Sequence, residues 1–213
     1  MVTTVLLTGF EPFAGDAVNP SGDAVRIVAA EWAGAETLVT AVLPVTFGAA
    51  AERMRELIAE HSPDVVIAAG LAGGRVGISI ERVAVNLIDA RIPDNDGAQP
   101  VDAESVPGGP DARFSSLPVK AIARDIADAG IRSSLSTTAG TFVCNHVFYV
   151  ITDAASRRPG TRAGFIHVPW SENGGPKDEP ALPLSEIARA LSIAIRTAVD
   201  TPDDIAVAGG SLH

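Results

Sequence analysis

The sequence predicts an α/β chain, a three-layer α/β/α sandwich around a mixed, largely parallel central sheet. Three observations predict it. Short apolar runs alternate with amphipathic stretches along the 213 residues. The most apolar run, Val65-Val66-Ile67-Ala68-Ala69, has the composition of a central strand covered on both faces. No internal repeat or low-complexity linker divides the chain, so residues 1–213 are expected to form one domain with a full core. Alternation of this kind places helices on both faces of a sheet and gathers active sites beyond the carboxyl ends of its strands.

Each element follows from its own pattern. Val5-Leu6-Leu7 is a short buried strand, followed by a loop rich in Gly and Pro. Asn19-Pro20-Ser21 supplies start signals for a helix over residues 21–31, with Ala24, Val25, Val28 and Ala29 at helical spacing. Residues 38–45 form a second strand ended near Pro44, and Ala50, Met54, Leu57 and Ile58 mark a helix that stops before Pro63. A further strand is expected over residues 78–86. After it, residues 87–114 lack clear periodicity, a length of loop that is uncommon unless it covers a site or joins subunits. Ser116 and Pro118 open a helix with Val119, Ile122, Ala123 and Ile126 on one face, closed at Gly130. A helix over residues 144–156 is apolar almost all round and should lie buried. A short strand over residues 164–168 is stopped by Pro169, and Leu184, Ile187, Ala188, Leu191 and Ile195 stripe a last amphipathic helix.

Composition excludes several classes. Sixteen basic against 26 acidic residues leave a formal charge of −10, so no basic footprint exists for nucleic acid or anionic membrane. The longest apolar runs fall below the roughly 18 to 20 residues of a membrane helix. The N-terminal stretch lacks the basic region and cleavage site of a secretory signal, so a cytoplasmic location is expected. Cys144 is the only cysteine, which rules out an intramolecular disulfide. The glycines after the strands match neither G-x-G-x-x-G nor G-x-x-x-x-G-K-[ST]. Asp94-Asn95-Asp96-Gly97 reads as a polar turn, because a calcium-loop alignment puts Ile92 and Ala103 at ligand positions. The histidines His61, His146, His167 and His213 form no metal-binding motif, so no metal is expected.

Three residues stand out. Cys144 falls in the first turn of the buried helix, where free N–H groups and the helix dipole favour a thiolate and are able to hold an oxyanion. Its plain alternative is a small buried hydrophobe. His146 is two residues away, about 200° around a helix, and is a poor base for that thiol. His167, at a strand end before Pro169, is better placed, or else is hydrogen-bonded within the core. Glu81 shares strand parity with Val83 and Val85, which points its carboxylate toward a buried region where it needs a partner. That partner is either an imidazole or Arg82, Arg75 or Arg91. A nucleophile, a base and an orienting acid are the parts of a cysteine hydrolase.

Further motifs carry a resemblance: Thr8-Gly9-Phe10-Glu11-Pro12-Phe13 with Asn19-Pro20-Ser21, Gly70 with Ala72-Gly73-Gly74-Arg75, and Glu81-Arg82-Val83-Ala84-Val85-Asn86. Asp89-Ala90-Arg91-Ile92-Pro93-Asp94-Asn95, Thr141-Phe142-Val143-Cys144-Asn145 and Ile166-His167-Val168-Pro169 complete the set. In this order, over nearly the whole chain, they resemble the pyroglutamyl peptidase type I family, the pyrrolidone carboxyl peptidases. The resemblance implies a phosphorylase/hydrolase-like fold and an intracellular cysteine exopeptidase that removes N-terminal pyroglutamyl residues from peptides. It also implies no metal or cofactor and a homo-oligomer, tetramer or dimer. Position by position it implies Cys144 as nucleophile, His167 as general base and acid, Glu81 as the residue that orients and charges the histidine, and Arg91 on the oxyanion side. Phe10, Phe13, Phe142 and Val143 match the apolar lining of the substrate pocket. Where the family pattern has glutamine after Gly70, this chain has Leu71, which neither donates nor accepts a hydrogen bond. Two other readings compete: a nucleoside phosphorylase-like enzyme of related fold, and a binding protein that keeps the pocket without turnover.

Overall fold

The computed structural model describes residues 2–210, so Met1 and His213 of the sequence reading lie outside the described residues. In chain order the elements are β1 (Thr4–Phe10), α1 (Pro20–Glu31), β2 (Thr37–Leu43), α2 (Phe47–His61), β3 (Val65–Leu71), β4 (Ile78–Glu81), β5 (Val83–Val85), β6 (Ala112–Phe114), α3 (Val119–Asp128), β7 (Ser133–Ser136), α4 (Val143–Ser156), β8 (Arg162–Val168), β9 (Trp170–Ser171), β10 (Ala181–Leu182) and α5 (Leu184–Asp200). Six strands build the central sheet in the order β2-β1-β3-β8-β4-β7. The first four run parallel, β4 is antiparallel to β8, and β7 is parallel to β4. The expected mixed, largely parallel sheet is therefore the one observed.

Strand periodicity sorts the core into two halves. Val5, Leu7, Val65, Ile67, Ile78, Ile80 and Ile166 face α1, α3 and α5. The alternate residues Leu6, Val66, Ala68 and Phe165 face α2 and α4. Three layers result because the central strands β1, β3 and β8 carry apolar residues on both faces. Helix ends follow local chemistry. The Asn19 side chain accepts from Ser21 N at 3.1 Å before Pro20 opens α1, and α2 ends on Ser62 at φ 45° ahead of Pro63. Among the described residues no helix is long and apolar enough to cross a membrane.

Two expectations are corrected, and one strand is new. The strand expected over residues 78–86 is two strands: Arg82 separates β4, in the main sheet, from β5, which pairs with β6 in a two-stranded sheet. The long segment is not structureless, since it contains β6, an Ile88–Ala103 bridge and a turn around Asp94. Edge strand β7 has the sequence Ser-Ser-Leu-Ser, and so little apolar signal that periodicity passes over it. A short polar strand suits an edge that must not recruit another chain.

Candidate active site

The site lies where β1, β3 and β8 end. In the sheet, His167 pairs with Gly70 of β3 on one side and Ser79 of β4 on the other. Glu81, opposite Phe165, is the diagonal neighbour of His167 on the same face of an antiparallel pair. Ile78 and Ile80 turn to the α3 and α5 side, so Ser79 and Glu81 turn to the α4 side, as do Phe165 and His167. Glu81 is fully buried, but the parity argued from the sequence is not the reason. Its face is shared with Ser79, whereas Val83 and Val85 belong to another sheet and are more exposed.

His167 Nδ1 and Glu81 Oε1 are 2.7 Å apart, with both side chains out of solvent. With Nδ1 engaged, Nε2 is the nitrogen left for proton transfer. Cys144 is the second residue of α4, whose first turn has no side-chain cap. Its N–H groups are therefore not consumed by a capping side chain. Asn145 fixes this helix start: its Oδ1 accepts from Val85 N at 3.0 Å, and its Nδ2 donates to Val85 O at 2.9 Å and Leu87 O at 3.0 Å. Cys144 and His167 line one cavity of about 490 Å³, within the usual range of small-molecule sites.

The thiol does not carry the lowered pKa expected of a helix N-terminus. Burial, reinforced by the Glu81 carboxylate, pushes Cys144 up to about 12, and its own backbone N–H opposes this only in part. Desolvation of the thiolate outweighs the helix end. The protonated thiol is the favoured form at neutral pH, in the cavity that Cys144 shares with His167. His146 is buried elsewhere, against Phe47, with ring centroids 6.2 Å apart. Burial, then the nearby Arg55 charge, hold it down to about 4, so it stays neutral and apart from the reaction.

Phe10, Phe13, Leu71, Phe142 and Val143, all anticipated from the sequence, line the same cavity. Phe142 packs against Phe13 and Phe47, with centroids 5.2 Å and 5.1 Å away. Arg91 is not brought to the cavity. Ala90 is buried and hydrogen-bonds Pro100 through its N–H, and the next side chain turns outward to an exposed position. A different arginine reaches the site: Arg75 Nη2 lies 3.1 Å from Glu81 Oε1 and donates to Thr138 O at 3.0 Å. Imidazole and arginine, weighed as alternatives for Glu81, are both bound, and to one oxygen. Asp16, Asn19 and Thr138 also line the cavity and were missed as lining residues, since only the folded loops bring them there.

Residues 87–114 contribute no lining side chain, yet they brace the walls. Asp94 accepts from Phe47 N at 2.8 Å and from Asp96 N and Ala98 N, a polar turn that also holds the start of α2. Asn95 donates to the carbonyl of Val45, a cavity residue, and to that of Pro12, next to the cavity residue Phe13. Among the described residues no cluster of three or more His, Cys, Asp or Glu could hold a metal ion.

Known proteins place this site in context. The pyroglutamyl peptidase family model matches residues 3–201. The pyrrolidone-carboxylate peptidase of Clavibacter michiganensis subsp. michiganensis is 47% identical over 210 residues, covering 98% of this chain and 99% of that protein. The crystal structure of pyroglutamyl peptidase I from Bacillus amyloliquefaciens superimposes with a TM-score of 0.93 at 46% identity, over 98% of this chain and 100% of that one. The pyrrolidone carboxyl peptidase from Thermococcus litoralis gives a TM-score of 0.93 at 35% identity, over 97% and 100%. With the family model spanning most of the sequence and relatives near half identical along its length, this chain belongs to the pyroglutamyl peptidase family.

Proposed function

We propose that the chain is a cysteine exopeptidase that hydrolyses the bond after an N-terminal pyroglutamyl residue, with Cys144 as nucleophile, His167 as base and acid, and Glu81 as the group that orients the imidazole. Family membership supports the reaction class and the substrate. The observation that carries the residue assignment is the 2.7 Å contact of His167 Nδ1 with Glu81 Oε1, beside the cavity that Cys144 and His167 share.

Because the thiol is held protonated, attack and proton transfer go together. Cys144 Sγ adds to the carbonyl carbon as its proton passes to His167 Nε2, and Glu81 stabilises the imidazolium that forms. The oxyanion takes hydrogen bonds from the first-turn N–H groups of α4, aimed by the Asn145 anchor. The imidazolium then protonates the departing amine, leaving a pyroglutamyl thioester. Water gives a proton to Nε2 and attacks the thioester, the expelled thiolate recovers that proton, and pyroglutamate leaves. Arg91, exposed, has no step in this sequence. The lactam faces are apolar and suit the walls formed by Phe10, Phe13, Phe142, Val143 and Leu71.

The reading also takes residues 1–213 as one peptidase domain in the cytoplasm, where a lone free thiol stays reduced. It assigns a homo-oligomeric state, dimer or tetramer. The exposed Val85, Ile92, Val101 and Phe114, the last at 70%, supply apolar surface for contacts between copies.

The deciding experiment is release of a chromogenic amine from pyroglutamyl amide, with prolyl amide as control and a parallel sample treated with a thiol alkylator. Release confined to the pyroglutamyl substrate, and lost when Cys144 is labelled, is the expected result. Binding of a pyroglutamyl ligand by folded, reduced protein without any release would overturn the reading in favour of a binding protein.

A further inference from the structure

Arg75 stands in the turn between β3 and β4, outside every regular element, yet its guanidinium reaches into the cavity wall. It makes two contacts there, Glu81 Oε1 at 3.1 Å and the Thr138 carbonyl at 3.0 Å. Both matter because of what those groups do. Glu81 is completely buried and its Oε2 has no hydrogen-bond partner among the described residues, so its partners converge on Oε1. A carboxylate in that position needs a positive charge beside it. When the imidazole is neutral, Arg75 is the cation in contact with it. When the imidazole is protonated, Arg75 and His167 share the same oxygen, and the hold of Glu81 on the imidazolium is weaker than it would be alone. Thr138 belongs to the turn that leads to α4: its carbonyl accepts from Ser136 Oγ, and its hydroxyl accepts from Gly140 N, both at 3.1 Å. One side chain therefore joins the acid of the site to the approach of the nucleophile's helix.

We propose that Arg75 is a positioning residue of the reaction, one that divides the Glu81 carboxylate between itself and His167 and ties that carboxylate to the turn preceding Cys144. This rests on the assignment of Cys144, His167 and Glu81 given above. The titratable groups facing the cavity are Asp16 from the loop after β1, Arg75, Cys144 from α4 and His167 from β8, with Glu81 of β4 behind His167. His146 of α4 packs away from them against Phe47. Removing the guanidinium leaves Glu81 acting on the imidazole alone and deletes a nearby positive charge. Both changes favour the imidazolium. The acid limb of kcat/KM must then move to higher pH.

The test compares Arg75→Met, Arg75→Lys and Glu81→Gln on pyroglutamyl chromogenic amide across pH, with thermal melts to show folding. For Arg75→Met the expected result is a fall in kcat larger than any change in KM, and an acid limb displaced upward by about one pH unit. Arg75→Lys keeps the charge and should hold the limb near its original place while losing part of kcat. Should Arg75→Met fail to fold, Arg75→Gln carries the same measurement, because it too removes the charge while keeping a donor for Thr138. An acid limb that superimposes on the parent's in the folded variant overturns the proposal, as does a loss confined to KM. If Cys144→Ala is inactive and the limb still does not move, only the role of Arg75 falls. Turnover by Cys144→Ala would instead remove the site assignment on which it rests.

Discussion

Gly70 and Cys144 approach so closely that no Cβ fits between them. One at Gly70 would lie 2.8 Å from Cys144 Sγ and 2.8 Å from Phe165 Cζ. Gly70 is the strand partner of His167, so the absent side chain is what lets the thiol come down onto the sheet in the cavity that His167 also lines. Gly70→Ala is expected to lower kcat by about tenfold or more and to destabilise the fold by about 1–3 kcal/mol, the usual cost of overpacking. Steady-state kinetics and urea unfolding check this. Unchanged kcat would mean that the thiol has room to retreat.

The thiol pushed up to about 12 makes a kinetic prediction for the free enzyme. Below that value the thiolate fraction rises about tenfold per pH unit. Alkylation of Cys144 by iodoacetamide should therefore accelerate steadily from neutral pH to pH about 10 without levelling. A plateau reached at or below pH about 8 would instead reveal a preformed thiolate–imidazolium pair.

His146 ties stability to pH. Its folded value of about 4 lies below the ordinary 6.5, so between the two the unfolded chain binds a proton that the folded one does not. The stability is fully present above 6.5 and is lost as pH falls through 6.5 toward 4. Urea unfolding at pH 7 and 4.5 should show the parent losing about 2–3 kcal/mol more than His146→Gln. Equal losses in the two proteins would refute the assignment.

Leu71 presents an apolar side chain to the cavity and offers no hydrogen bond there. Leu71→Gln should lower KM for pyroglutamyl amide by about five- to tenfold, the worth of one added hydrogen bond, with kcat little changed. A higher KM would show that the cavity satisfies the lactam by other groups and uses Leu71 for packing.

Apolar spacing along the chain is enough to specify the layer architecture and most of the elements, because strands buried on both faces and striped helices announce themselves in it. Val65–Leu71, the start of α1 at Asn19-Pro20 and the buried α4 are all local signals. The motif order also marked Cys144, His167 and Glu81 as the residues to follow. Other features arise only when distant segments pack together. Arg82 splits one expected strand in two, and β7 is too polar to register. The face of Glu81 depends on β4 pairing with β8, and the choice of Arg75 over Arg91 depends on which way two loops turn. The raised thiol follows from its burial together with the charge of Glu81, and no residue near Cys144 in sequence carries that information. Periodicity is a property of neighbours along the chain, whereas desolvation and shared hydrogen bonds belong to neighbours in space.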